Sequence, residues 1–144
     1  MNKFLISSLL LFGFVTVNAQ HQTLSDKDYY GNKIVIQVVT EDTVAHKALM
    51  KQLNNITSVA ADTEIEVVCH GPGLYMLVKE RSIVQAQLKK HAEKGIQFVA
   101  CEFSLKERKV DKSQIVDEAN FARSGALEIA SKQRAGWSYL KAGF

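Results

Sequence analysis

Only two of the 144 residues are cysteine and only one is proline. So few cysteines exclude a small domain stapled by disulfides. One proline beside eight glycines excludes collagen-like and proline-rich low-complexity chains. Charge of one sign is also lacking: 18 basic and 15 acidic residues leave +3. That excess is too small to make nucleic acid or an anionic membrane the default partner. Cys69, Cys101, His21, His46, His70 and His91 form no Cys-x-x-Cys or His-x-x-x-His pair, so zinc-ligand spacing is missing. There is no Gly-x-Gly-x-x-Gly, no phosphate loop and no Gly-x-Ser-x-Gly elbow. These absences predict neither a bound metal nor a nucleotide cofactor. What remains, 47% hydrophobic and 23% charged, is ordinary for one globular domain.

The first residues carry an address. Lys3 precedes an apolar run from Phe4 to Val15, and Val17-Asn18-Ala19 has the small-x-small form of a cleavage site. This is the pattern of a secretory signal peptide over residues 1–19, cut before Gln20. A membrane span needs about 20 apolar residues, and no such run follows. Removing residues 1–19 takes away Lys3, their only charged side chain, and lowers the net charge from +3 to +2. The expectation is a periplasmic or secreted protein with no membrane attachment after cleavage.

After a polar, flexible lead-in over residues 20–32, strand and helix patterns alternate. Lys33 to Val39 is a β-branched run suited to a strand covered on both faces. Val44, Ala45, Ala48, Leu49, Leu53 and Ile56 then fall on one helical face. Glu64 to Cys69 reads as a second strand, and Ser82 to Lys94 as a helix with Ile83, Val84, Leu88 and Ala92 inward. Ile96 to Cys101 makes a third strand. Ser104–Arg108 and Ser113–Asp117 are candidate short helices, and Asn120–Arg123 a short fourth strand. Ser124 caps a helix that Gly136 ends, and Trp137–Leu140 is a final strand. His46 and His91 fall on polar flanks of their helices, which predicts solvent exposure. Strand, helix, strand with short connections implies parallel crossovers. The expected fold is α/β: a three-layer α/β/α arrangement around a mostly parallel sheet of four to five strands, in one domain over residues 33–144.

Open parallel sheets bind ligands at the carboxyl ends of their strands. Both cysteines end strands: Cys69, followed by His70-Gly71-Pro72-Gly73, and Cys101. A helix beginning near Ser104 points its peptide dipoles at Cys101, favouring a nucleophilic thiolate, while Glu102 opposes this. Cys69 reads first as a small buried hydrophobe. His70 either orients a thiolate or hydrogen-bonds its own glycine-flanked loop. Whether the two cysteines can meet depends on strand order. Because successive strand residues point to opposite faces, two free thiols are expected. Trp137 and Tyr139 near a sheet edge are candidates for burial against a neighbouring chain.

Taken in order, the strand before His70-Gly-Pro-Gly73, then Phe98-Val-Ala-Cys101-Glu-Phe-Ser-Leu105, Ser124-Gly-Ala-Leu-Glu-Ile and Gln133-Arg-Ala-Gly-Trp-Ser-Tyr139 resemble the DsrE/DsrF-like family. The resemblance implies a layered α/β fold and assembly into trimers or hexamers. It also implies sulfur oxidation or relay, with sulfane sulfur carried as a persulfide on one cysteine. Cys101 takes the cysteine position of the family's Ala-Cys-x-Asn-Thr-Leu pattern, with Phe103 where asparagine is usual and Ser104 where threonine is usual. His70 and Gly71 match the family's His-Gly, and Cys69 stands where an apolar residue is expected. The resulting expectation is a sulfur carrier with Cys101 and His70 as catalytic residues. Gly71, Gly73, Cys69 and Ser104 bind the ligand, and the partners are a small sulfur species or a thiol protein. The alternative is an oligomeric, non-enzymatic module binding a small ligand at the same edge.

Overall fold

The structure is a computed structural model that describes residues 24–143. The expected signal segment, residues 1–19, lies outside the described residues. The lead-in is not wholly irregular, since Asp26–Tyr29 form one turn of 3-10 helix.

Five strands make one parallel sheet. They are β1 (Lys33–Val38), β2 (Glu64–Cys69), β3 (Gln97–Cys101), β4 (Ala119–Ala122) and β5 (Ser138–Ala142), in the order β4-β3-β2-β1-β5. Every neighbouring pair is parallel, so each connection must cross a face. On one face lie α1 (Thr43–Val59), α2 (Gln85–Ala92), α3 (Glu102–Arg108) and a 3-10 segment, Gly71–Leu77. Their apolar side chains, among them Leu49, Leu53, Leu74, Leu77, Leu88 and Leu105, pack with Ile36, Val67 and Phe98 of the sheet into the main core. On the other face α4 (Gly125–Arg134), the one helix there among the described residues, carries the chain from β4 at one edge to β5 at the other. It covers a smaller cluster of Val35, Val68, Val99 and Ile129, flanked by Trp137. The expected three-layer α/β/α fold is therefore present, with layers of unequal thickness.

Several local expectations are corrected. The buried face of α1 is Ala45, His46, Leu49, Met50 and Leu53, while Val44 is exposed. The apolar stripe is thus turned by about one residue from the one that hydropathy suggests. The expected exposure of His46 and His91 is wrong: they are only 3% and 1% exposed. His46 Nε2 donates to the Thr40 carbonyl at 2.8 Å. Burial lowers the His91 pKa, opposed in part by a hydrogen bond to the Met50 backbone. Each ring fills core volume with one nitrogen on a backbone group, while His91 Nδ1 is buried without a partner. Helix α2 is shorter than expected, and Ile83 is exposed ahead of it. The Ser113–Asp117 helix reduces to a 3-10 turn at Lys112–Gln114.

Gly73 explains how the His70 loop is packed. A Cβ there would lie 2.1 Å from the Val38 carbonyl oxygen, so only glycine lets the 3-10 segment lie against the end of β1.

Candidate functional site

Cys101 ends β3, and its chain continues directly into α3. The neighbouring strand β4 feeds α4, which lies on the opposite face. Where adjacent parallel strands send their connections to opposite faces, a crevice opens at their carboxyl ends. Cys101 occupies that crevice. Its sulfur accepts the Gly125 amide at 3.2 Å, the first residue of α4. Ser124 caps the same helix, accepting from Leu127 N, and so fixes where its first amides point.

Burial is the largest single influence on the Cys101 thiol and opposes ionisation. Hydrogen bonds from the Ser104 hydroxyl and from the Gly125, Ser104 and Phe103 amides together outweigh it. The net effect holds the thiol below its ordinary pKa, the condition of a reactive thiolate. Ser104 also ties the His70 loop to α3, because its Oγ accepts the Gly71 amide at 2.8 Å. Gly71 has φ +53°, a left-handed conformation that glycine adopts without strain.

His70 stands on the other side of Gly125. A Cβ at Gly125 would lie 3.1 Å from His70 Cβ and 3.2 Å from Val68 Cγ1. Glycine at the start of α4 thus lets the helix terminus approach imidazole and thiol together. Burial lowers the His70 pKa and so favours the neutral ring. Its Nε2 lies 2.7 Å from Gln37 Nε2, and Gln37 Oε1 accepts the Tyr139 hydroxyl.

The other predicted site residues separate. Cys69 pairs in register with Ala100, so Cys101, one residue further on, faces the opposite side of the sheet. Cys69 lies in the main core, where burial drives its thiol pKa far up. Both thiols are free. Gly73 is buried against β1 rather than open to a ligand. Cys101, His70, Ser104 and Gly71 are brought together. Gln37 and Gly125 join them without having been expected there, and so does Tyr139, which the sequence marked only for a contact between chains. The one signal for Gln37 was a polar residue interrupting an otherwise β-branched strand.

Cys101 itself is 4% exposed. Beside it lies an open depression of about 440 Å³ bordered by Phe103, Phe121, Arg123, Ser124 and Leu127. Phe103, standing where the family pattern has asparagine, turns outward and is 56% exposed. Among the described residues, no group of three or more His, Cys, Asp or Glu is placed to hold a metal ion. Nor is any of their helices long and apolar enough to cross a membrane.

The chain is similar in fold to the protein of unknown function MTH1491 from Methanobacterium thermoautotrophicum, at TM-score 0.73 and 22% identity over 76% of this chain and 98% of that one. It is also similar to the conserved protein of unknown function BT1422 from Bacteroides thetaiotaomicron, at TM-score 0.59 and 21% identity over 83% and 99%. No curated protein matches significantly. The profile of the DsrE/DsrF-like family matches residues 33–142, which span the whole sheet and the Cys101 crevice, and the chain belongs to that family.

Proposed function

We propose that this protein is an exported, homo-oligomeric sulfur carrier that holds sulfane sulfur as a persulfide on Cys101. The supporting observation is the sulfur in the β3–β4 crevice, with the Gly125 amide at 3.2 Å and a thiol pKa held below normal. The thiolate attacks the outer sulfur of a persulfide, polysulfide or thiosulfonate. A new S–S bond forms at Cys101, the donor's S–S bond breaks, and its electron pair leaves on the donor thiolate or sulfinate. Sulfur moves without net oxidation. Attack by an acceptor thiolate on the outer sulfur reverses the loading and restores Cys101. The Gly125 amide that holds the thiolate stays on the inner sulfur of the persulfide.

Incubating the purified protein with a persulfide donor, then measuring intact mass, tests this reading. One added sulfur is expected, retained in Cys69→Ala and lost in Cys101→Ala. A second reading draws on the near-complete burial of Cys101: an oligomeric module that binds a small ligand in the adjoining depression without covalent chemistry. No adduct on folded protein, with Cys101 readily modified after unfolding, would favour that second reading.

A further inference from the structure

Gln37 is the one amide in β1 and lies on the α4 face, between Val68 of β2 and Lys141 of β5 in the sheet register. Its two polar atoms are both engaged, Oε1 by the Tyr139 hydroxyl and Nε2 by His70 Nε2. An amide nitrogen carries only hydrogens, so the His70 Nε2 it meets must be the bare, accepting nitrogen. The proton of the neutral ring then resides on Nδ1.

We propose that Gln37 and Tyr139 are positioning residues that hold His70 as its Nδ1–H tautomer, leaving that N–H as a donor to the anionic sulfur bound at Cys101. The role assigned to the N–H rests on the sulfur-carrier reading; the tautomer itself does not. Chemistry favours this direction of the chain. A phenol is a strong O–H donor and a weak acceptor, because its lone pairs conjugate with the ring. The amide oxygen and the imidazole nitrogen are both good acceptors. Running the chain from Tyr139 O–H to Gln37 Oε1, and from Gln37 N–H to His70 Nε2, matches every donor to a strong acceptor, and each bond polarises the next. Reversing the amide would force the phenol oxygen to accept.

The location gives the N–H a purpose. Imidazole and thiol flank Gly125, whose amide reaches the sulfur at 3.2 Å and whose Cα approaches the ring so closely that a Cβ would lie 3.3 Å from His70 Cγ. A persulfide on Cys101 puts its negative charge one atom beyond Sγ, outside the reach of an amide bonded to Sγ. A neutral N–H donor beside the crevice supplies that second contact. It acts without taking a proton from the thiol, whose ionisation the amides and Ser104 already favour. His70 is therefore a donor and not the base. Tyr139 reaches it from β5, the edge strand that α4 delivers across the whole sheet.

Long-range proton–nitrogen NMR on histidine-labelled full chain distinguishes the two tautomers directly. The wild type should show His70 protonated on Nδ1, whereas Tyr139→Phe, which frees the Gln37 amide to flip, should show a mixture of the two tautomers. Gln37→Glu, which offers only acceptors, should switch it to Nε2–H and raise its pKa. With the wrong tautomer, transfer of sulfur from a persulfide donor should slow about tenfold, the effect of one lost charge-assisted hydrogen bond. The pH profile of Cys101 alkylation should stay unchanged. His70 protonated on Nε2 in the wild type would overturn the proposal whatever the sulfur chemistry. A correct tautomer with no persulfide formed would instead defeat the carrier reading and leave the tautomer assignment standing. Unchanged transfer in Gln37→Glu, with the tautomer switched, would refute the donor role.

Discussion

At the scale of residues, two cysteines one strand apart meet opposite electrostatics. Cys101 has donors from Ser104, Gly125 and Phe103; Cys69 has only burial. Removing the Ser104 hydroxyl takes away one donor to the thiolate. Ser104→Ala should therefore slow Cys101 alkylation at pH 7 by about tenfold, read from the rate of mass gain with a small alkylating agent. Gly125→Ala should act in the same direction by pushing the helix terminus off His70 Cβ, without touching the sulfur itself. Stability carries the two signs as well. The folded pKa of Cys101 is depressed, so its contribution is full above the ordinary thiol value of 9.0 and is lost as pH falls through the folded value. Cys69 is raised, so its contribution is full below 9.0 and is lost as pH rises further, where only the unfolded chain ionises. Urea titrations from pH 8 to about pH 10.5 should show Cys69→Ala losing less stability over that window than the wild type. A parallel loss in both would contradict the assignment.

Among the elements, α4 decides the site, because it supplies the Gly125 amide and is the one helix among the described residues on its face of the sheet. Its anchor is ionic: Lys132 Nζ lies 2.6 Å from Glu66 Oε2 and 4.4 Å from the centre of the Trp137 ring. Glu66 sits in the middle of β2 and is buried, with Oε1 unpartnered. Desolvation raises its pKa, more than Lys132 lowers it. Lys132→Met should leave an uncompensated buried carboxylate and destabilise the fold by about 3 kcal/mol at pH 7. Because the folded pKa of Glu66 is raised, that cost should shrink as pH falls and the carboxyl protonates. Combining Lys132→Met with Glu66→Gln should recover much of the loss, measured by urea denaturation. A penalty independent of pH and unrelieved in the double variant would mean that α4 is held by packing alone.

On the scale of the whole molecule, apolar surface stays open at both edges of the sheet. Phe103, Phe121 and Leu127 are exposed around the depression beside Cys101, and Tyr139 and Leu140 are exposed on the edge strand β5. Apolar clusters next to a site are where neighbouring copies bury surface. The proposed assembly is a trimer or a multiple of it, as the family resemblance implies. Light scattering at micromolar concentration should give that mass, and a monomer would refute it.

How far each feature was legible follows from the range of the interaction behind it. β-branched runs, capping residues such as Ser124, and glycines such as Gly136 act within a few residues, so the sequence by itself determined the alternation of strands and helices, hence the parallel α/β class. Cys101 and His70 were legible for the same reason, since each directly follows or ends a strand pattern. The family motifs added Ser104 and Gly71. Hydropathy misplaced His46 and His91 because it prices an imidazole in water, whereas each ring found a backbone partner that only packing provides. Strand order was undecided in sequence, since α4 crosses the sheet by a connection whose endpoint no local pattern specifies. Only the tertiary structure put β5 beside β1, and so brought Tyr139 to Gln37 and Gln37 to His70 across separations of 102 and 33 residues. It likewise set Cys69 and Cys101 on opposite faces of adjacent strands and brought Gly125 onto the sulfur. Local chemistry thus chose the elements and named the thiol, while the long-range register of the sheet decided which groups surround it.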